Sequence, residues 1–119
     1  MSIQRIQPNS RLSRALVYDG RVYVTGQVAR NRVQDVFAQT TEVLGLIDEL
    51  LEESGSDKNH ILFAQIWLRN IEADFAQMNA AWEAWIEDGH VPARATVEAK
   101  LAAPDILVEI AVTAATVKE

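Results

Sequence analysis

Two charged residues stand inside stretches that otherwise have the pattern of β-strands. Arg94 follows a proline in the stretch PARATVEA, and Glu109 interrupts the apolar run LVEIAV. A guanidinium offers a planar fork of donors that matches a carboxylate. A carboxylate between Val108 and Ile110 either pairs with a cation or has a raised pKa, and a raised pKa suits a general acid or base. We therefore predict that Arg94 and Glu109 form one site for a small molecule that bears a carboxylate.

Structural roles are also open to both residues. Arg94 can be a surface arginine at a strand end, or it can form a salt bridge to Glu98 or Glu109. Glu109 can belong to an ion pair across an interface between subunits. The sequence leaves these alternatives standing beside the ligand site.

Two weaker signals accompany the charges. In VTGQ (24–27), Gly26 suggests a bulge or a close approach to the backbone, and Thr25 offers a hydroxyl. Asn79 adjoins the apolar stripe of a helix. We favour a hydrogen bond from its amide to a loop over contact with a ligand.

Composition limits the class of protein. The chain has 119 residues, of which 49% are hydrophobic and 24% charged, so we expect one globular domain over 1–119. The net charge of −6 gives no basic footprint for nucleic acid. The absence of cysteine excludes disulfides and thiolate chemistry, and the spacing of His60 and His90 predicts no metal site. No run reaches the ~20 apolar residues of a membrane span, and the N-terminus lacks a signal-peptide pattern, so we expect a cytoplasmic protein with no membrane partner.

The elements that must position these residues begin with strands. IQRIQP is a short strand that ends near Pro8, and residues 15–24 form a hairpin whose Asp-Gly pair tolerates the positive φ of a type I′ turn. Residues 33–54 predict an amphipathic helix that ends at Gly55. Its expected buried positions recur at three- and four-residue steps: Val33, Val36, Phe37, Thr40, Leu44, Ile47 and Leu51.

The second half of the chain predicts one more helix and three strands. The helix spans 73–89, with Asp74 as its N-cap and Gly89 as its stop. Its expected buried stripe assigns the tryptophans to the core rather than to a ligand: Phe75, Met78, Trp82 and either Trp85 or Ile86. The predicted strands lie at 60–70, 94–101 and 106–117, with Pro104-Asp105 as the turn between the last two.

This order of elements predicts an α+β fold, with both helices on one face of a largely antiparallel sheet. In the last strand, Leu107, Glu109, Ala111 and Thr113 then share a mostly apolar face that the helices do not cover. A lone chain of this size cannot bury both faces of the sheet. Another subunit is the simplest cover for the second face.

Four stretches taken together resemble the reactive-intermediate deaminase (RidA/YjgF) family. VYVTGQV, DFAQMNAAWEAW, PARATVEA and LVEIAV match it in order and spacing over about residues 8–115, and MNAAWEAW with GHVPAR is similar to its bacterial YoaB-like branch. The resemblance implies a chorismate-mutase-like subunit in a homotrimer with a central β-barrel, and sites in the clefts between subunits. It implies hydrolysis of 2-imino acids and their enamines, such as 2-aminoacrylate, to 2-keto acids and ammonia, with no metal or organic cofactor.

The resemblance also implies roles for individual residues. Arg94 matches the arginine that binds the substrate carboxylate, and Glu109 matches the glutamate that positions or activates the attacking water. Thr25 and Gly26 match small residues that line the pocket. Thr96 matches a position whose backbone helps to hold the ligand.

The match fails at one motif. Asn79 falls on the family's asparagine of the second helix, but the Gly-Pro-Tyr motif of the typical deaminases is replaced here by Ser10, Arg11 and Leu12. Leu12 therefore lines the pocket without the phenolic hydroxyl, which puts substrate preference and activity in question. Arg11 and Arg14 are candidates for changing what the pocket accepts.

Three functions follow from this reading. Arg94 and Glu109 favour a 2-imino acid deaminase. The missing tyrosine favours a trimer that binds small carboxylates without turnover, or a stress-type module that binds other proteins. A chorismate mutase of the same trimeric fold ranks last, because its dianionic substrate needs several cations and the sequence identifies only Arg94.

Overall fold

Six strands form one mixed sheet in the computed structural model, which describes residues 2–117. The predicted domain 1–119 therefore extends beyond the described residues at both ends. The strands are β1 (Gln4–Pro8), β2 (Ser13–Tyr18), β3 (Arg21–Gln27), β4 (Ile61–Leu68), β5 (Ala93–Glu98) and β6 (Val108–Ala115). The helices are α1 (Val36–Glu53) and α2 (Ile71–Trp85), and a 3₁₀ turn (Lys58–His60) precedes β4.

The strands are ordered β1-β2-β3-β6-β4-β5 across the sheet. Every neighbouring pair is antiparallel except β4 and β5, which are parallel. The predicted order of elements and the α+β class are confirmed. Within residues 2–117, neither helix is long and apolar enough to cross a bilayer.

The β2–β3 hairpin turns where the sequence predicts. Asp19 and Gly20 have φ values of 53° and 75°, and Tyr18 pairs with Arg21 across the turn. Positive φ at both central residues matches the right-handed twist of the flanking strands. The Asp-Gly pair therefore fixes the register of the hairpin.

Both helices pack on one face of the sheet. Along β6, fully buried residues alternate with half-buried ones, and the buried set is Val108, Ile110, Val112 and Ala114. These side chains share one core with Leu44, Ile47 and Leu51 of α1 and with Met78 and Trp82 of α2. The predicted helix-covered and open faces of β6 are confirmed, as is the core position of Trp82.

Helix α1 begins three residues later than predicted. Asp35 is its N-cap, and the carboxylate accepts a hydrogen bond from the Ala38 backbone N at 2.9 Å. Val33 therefore lies in the preceding loop and is 98% exposed, and Phe37 in the first turn is 41% exposed. Gly55 follows the helix with a φ of 81°, which confirms it as the residue that ends α1.

Helix α2 begins and ends earlier than predicted. Asn70 rather than Asp74 is the N-cap, because its side chain accepts a hydrogen bond from the Ala73 backbone N at 3.1 Å. The helix stops at Trp85, so Gly89 lies beyond it in a turn with a φ of 81°.

Phe75 and the end of strand β5 also differ from the prediction. Phe75 of α2 is 41% exposed, because the buried side of the helix is centred on Met78 and Trp82. Strand β5 ends at Glu98 rather than at 101, and none of its residues is fully buried. It is an edge strand paired on one side, and Arg94 and Thr96, which it directs toward the helices, are polar.

Replacing the observed N-cap, Asn70, should lower the free energy of unfolding more than replacing the predicted one, Asp74. Asn70→Ala leaves the Ala73 N–H without its partner and should lower the free energy of unfolding by about 1 kcal/mol. Asp74→Ala should change it by less than about 0.5 kcal/mol. Burial and the nearby Asp35 carboxylate raise the pKa of Asp74, so the surroundings disfavour its charged form and its removal should cost little stability. Urea unfolding at one protein concentration measures both, and the reverse ranking would contradict the cap assignment.

Candidate functional site

Arg94 lies on the edge strand β5 and points toward helix α2. It pairs in register with the fully buried Ala64, which faces the helices. Its Nη2 donates a hydrogen bond to Asn79 Oδ1 at 2.7 Å, and its guanidinium carbon lies 5.1 Å from the centre of the Trp82 ring. Burial lowers the pKa of Arg94, whereas the Glu83 carboxylate raises it. The guanidinium stays charged and is oriented by a neutral amide and an aromatic ring.

No carboxylate within residues 2–117 forms a salt bridge with Arg94. The structural alternative of a salt bridge from Arg94 to Glu98 or Glu109 is therefore not found within the described chain. Glu98 instead accepts a hydrogen bond from the Ile71 backbone N at 3.0 Å, at the start of α2. The loop contact favoured for Asn79 is also wrong, because its amide oxygen faces Arg94. Apart from the bond to Asn79, the guanidinium donates no hydrogen bond to the described part of the chain.

Thr96 lies two residues along β5 on the same face as Arg94. It pairs with the fully buried Ile66. Its hydroxyl is buried and finds no hydrogen-bond partner among residues 2–117. Unpartnered buried hydroxyls are uncommon. Arg94, Asn79, Trp82 and Thr96 are together called the Arg94 cluster.

Glu109 points to the other face of the sheet. Its neighbours Val108 and Ile110 are fully buried beneath the helices, so the alternation of the strand directs Glu109 to the open face beside its paired residue Trp67. The side chain is half-buried there. Burial raises the pKa of Glu109, which is the direction that suits a general base.

The end of β3 makes room for the Glu109 carboxylate. A register shift between Val24 and Gln27 leaves Thr25 and Gly26 together opposite a single residue of β6, which is a β-bulge. A Cβ added at Gly26 would overlap Glu109 Oε2 and lie 2.9 Å from its Cδ. The bulge and the close approach predicted for Gly26 are both confirmed.

A cleft of about 290 Å³ lies beside this bulge. It is called the arginine cleft, and its wall includes Leu12, Arg14, Thr25, Gly26, Arg30 and Arg32. Leu12 is 46% exposed and presents an apolar side chain to the cleft. Three of the predicted site residues, namely Leu12, Thr25 and Gly26, therefore share one cavity.

Within one chain, the predicted site residues lie in two separate groups. Arg94, Asn79 and Thr96 lie on the helix-covered side of the β5 edge. Leu12, Thr25 and Gly26 lie with Glu109 at the end of β3. Ala64 and Trp67, the β4 partners of Arg94 and Glu109, are three residues apart and so face opposite sides of the sheet. A single chain does not bring the guanidinium and the carboxylate together.

Some contacts were not predicted from the sequence. Trp82 contacts Arg94, and its position three residues after Asn79 places both on one helix face, so the spacing could have indicated the contact. Arg30 and Arg32 lie in a loop without periodicity and gave no such signal.

Two other features of the described residues bear on ligand binding. A larger depression of about 470 Å³ is lined by four carboxylates and one lysine, namely Asp48, Glu52, Asp57, Glu87 and Lys58, and it includes none of the predicted site residues. Its carboxylates would repel an anionic ligand. No group of three or more histidine, aspartate or glutamate side chains within residues 2–117 could hold a metal ion.

Comparisons with known proteins agree with this fold over nearly its whole length. The endoribonuclease L-PSP family model matches residues 2–116. A RutC family protein from Haemophilus influenzae is 49% identical over 115 residues, which cover 96% of this chain and 98% of that protein. The RutC family protein YoaB from Escherichia coli is 44% identical, with 97% and 99% covered. The crystal structure of a YjgF family protein from Neisseria meningitidis superposes with a TM-score of 0.96 at 42% identity, with 100% and 98% covered.

The contact between Gly26 and Glu109 can be measured by a double-mutant cycle. Gly26→Ala should lower the free energy of unfolding by about 1–3 kcal/mol, because the new methyl displaces the carboxylate. The loss should be much smaller when Glu109 is already alanine.

Gly45→Ala is the matched control for this cycle. Nothing lies within 4 Å of an added Cβ at Gly45, which is inside α1. The change should stabilise the protein by about 0.5–1 kcal/mol in both backgrounds. Equal losses from Gly26→Ala with and without the Glu109 side chain would contradict the contact.

Proposed function

The chain belongs to the RidA/YjgF family, which includes the RutC family proteins, and from that premise we propose that it hydrolyses 2-imino acids and their enamines, such as 2-aminoacrylate, to 2-keto acids and ammonia. The observation that carries the proposal is the state of Arg94. This half-buried guanidinium is oriented by Asn79 and Trp82 and forms no salt bridge within residues 2–117, although the Glu83 carboxylate lies near enough to raise its pKa. It is therefore ready to receive the carboxylate of a ligand.

The proposed reaction needs little beyond orientation and one proton acceptor. Arg94 holds the substrate carboxylate, and Asn79 and Thr96 lie beside it. Glu109 takes a proton from a water molecule whose oxygen attacks the imine carbon, while the imine nitrogen takes up a proton. In the resulting carbinolamine the hydroxyl proton is transferred to the amine nitrogen, the carbon–nitrogen bond breaks as the keto group forms, and ammonia leaves. Thr25, Gly26 and Leu12 form the wall around the reacting carbon.

This mechanism requires two copies of the chain. Because Arg94 and Glu109 of one chain face opposite sides of the sheet, a shared cleft pairs Arg94 of one copy with Glu109 of the next. The open face that carries Glu109 also exposes large apolar side chains: Tyr23, Phe63 and Val97 are each at least 40% exposed. Apolar area of this kind is usually covered in an assembly. We propose a homotrimer in which the three sheets form a central β-barrel and the clefts lie between neighbours.

Leu12 supports a second candidate function. The residue presents no hydroxyl to the cleft, which favours a protein that binds 2-keto acids without turnover. Such a protein would still use the Arg94 cluster to hold the carboxylate. The matching family is called an endoribonuclease family, but RNA cleavage is disfavoured here because a net charge of −6 opposes binding to a phosphate backbone. Enzyme and binder differ in whether the wild-type protein accelerates the decay of an imine.

Turnover and the sharing of residues can be tested in one series. An amino-acid oxidase generates the imine in situ, and release of keto acid is followed with and without this protein. Arg94→Ala should abolish the acceleration, and Glu109→Gln should reduce it by about 10²–10⁴-fold. Arg21→Ala removes an exposed arginine at the hairpin and should leave the rate unchanged. No acceleration by the wild-type protein on several imines would favour the binder.

Mixed assemblies of the two inactive variants should regain activity. If equal amounts of Arg94→Ala and Glu109→Gln chains assemble at random, about one cleft in four contains both wild-type side chains. Co-refolding should therefore restore about a quarter of the wild-type rate. Failure to regain activity in a confirmed mixed assembly would place both residues of a working site in one chain and contradict the shared cleft.

The raised pKa of Glu109 predicts opposite effects of pH on activity and stability. As a base Glu109 must be ionised, so the rate should rise as the pH increases through its raised pKa, above the ordinary value of 4.5. Folding favours the protonated form of a carboxyl whose pKa is raised. The stabilisation is thus full below pH 4.5 and is lost as the pH rises through the folded pKa. Comparison with Glu109→Gln, which should lack both dependences, isolates the contribution of this residue.

A further inference from the structure

The arginine cleft is positively charged in a chain that is acidic overall. Arg14, Arg30 and Arg32 line it, and none of its ten described lining residues is acidic. The whole chain has 17 acidic and 11 basic residues. A concentration of positive charge on such a background indicates an anionic ligand.

Neutral side chains hold Arg14 in place. Its Nη2 donates a hydrogen bond to Gln27 Oε1, and its Nη1 donates one to Gln7 Oε1 at 3.2 Å. Gln27 is only 4% exposed, and its amide nitrogen donates to the Thr25 carbonyl at 2.9 Å. The guanidinium is thereby oriented by a buried amide, and its charge is left uncompensated.

The other two arginines add charge that is weakly compensated at most. The Arg30 side chain forms no hydrogen bond or salt bridge within residues 2–117, although its backbone N donates to Glu42 Oε2 at 2.8 Å. Glu42 also accepts a hydrogen bond from the Gln34 amide at 2.8 Å. Arg32 pairs with Asp105 at 3.5 Å, but both side chains are more than a third exposed, and such pairs are weak.

We infer that the arginine cleft binds a second acidic group of the ligand, so that the substrate is a dicarboxylic imino acid. This inference rests on the proposed function, in which Arg94 of a neighbouring copy holds the first carboxylate and Glu109 acts at the imine carbon. Gly26 connects the arginine cleft to the catalytic carboxylate of the proposal, because it lines the cleft and lies directly beneath Glu109. The side chain of an acidic imino acid would extend from the reacting carbon past Gly26 toward Arg14 and Arg30.

The size and the lining of the arginine cleft both suit a single additional carboxylate. Its volume of about 290 Å³ is at the lower end of the range for small-molecule sites. Leu12 offers an apolar wall for methylene groups, and the arginines offer planar forks for a carboxylate. The competing occupant is a carboxylate of a neighbouring copy, which would neutralise the cleft in the assembled protein and remove any preference for a dicarboxylic ligand.

A matched pair of keto acids tests the inference on the full-length assembled protein. 2-Oxoglutarate and 2-oxopentanoate have the same chain length and differ only in the second carboxylate. Calorimetric titration should give a Kd about 10-fold lower for 2-oxoglutarate. Arg30→Gln should reduce the ratio of the two Kd values to about one, as should Arg14→Gln. Arg21→Gln, which removes an exposed arginine outside the cleft, should leave the ratio near ten.

Each outcome of the titration separates this inference from the proposed function. Equal affinities in the wild-type protein, or a preference that survives both cleft variants, would overturn the dicarboxylate assignment. If Arg94→Ala still abolished binding of 2-oxopentanoate in that case, the proposed carboxylate site would stand. A preference for 2-oxoglutarate that depends on Arg30 but not on Arg94 would support the cleft and contradict the role of Arg94. Binding of neither acid would overturn both.

Discussion

Side chains alternate between the two faces of a β-sheet, and this alternation decides where Arg94 and Glu109 can act. Val108 and Ile110 are fully buried beneath the helices, so the side chain of Glu109 between them must point to the open face of the sheet. The parallel pairing of β5 with β4 sets Arg94 beside Ala64 on the other face. A slip of one residue in β6 would expose its buried stripe to water, so the packing of the core holds Glu109 in place.

The arginines of this chain differ in what satisfies their donors. Arg69 donates to the backbone carbonyls of Leu101, Ala103 and Ile106, at 2.9, 2.6 and 3.1 Å, and it thereby fastens the segment that leads into β6. Arg94 and Arg14 each rest on side-chain amides and retain donors that the described chain does not use. An arginine whose donors are filled by backbone has a structural role, whereas one that is oriented but unfilled is prepared for an anion.

Short-range signals were read correctly from the sequence, and long-range ones were not. The Asp19-Gly20 turn, the bulge at Gly26 and the alternation of β6 each depend on a few neighbouring residues whose conformational preferences are strong. The start of α2 was misplaced because Asn70 and Asp74 are both residue types that cap helices, and only the folded geometry shows that Asn70 accepts the hydrogen bond.

The division of the site could not be read from local patterns either. It follows from the register of β5 on β4, a pairing of strands about thirty residues apart in sequence, and no local pattern states that register. Arg30 and Arg32 reach the same cleft as Arg14 from a loop without periodicity, so of the three arginines in its lining only Arg14 was a candidate from the sequence.

Under the proposed mechanism, Leu12 in place of the family's tyrosine would affect recognition of the ligand more than the reaction. An imine is already electrophilic, so the attack of water needs orientation and a proton acceptor, and neither depends on a phenol. What the phenol would supply is a hydrogen bond to the ligand at the wall of the cleft. Leu12 cannot form that bond, and it adds an apolar side chain to the wall that also contains Gly26 and the three arginines. If the cleft binds a second carboxylate as proposed, the ligand would gain more from that contact than from a hydroxyl partner, since a charge-assisted hydrogen bond is about twice as strong as a neutral one.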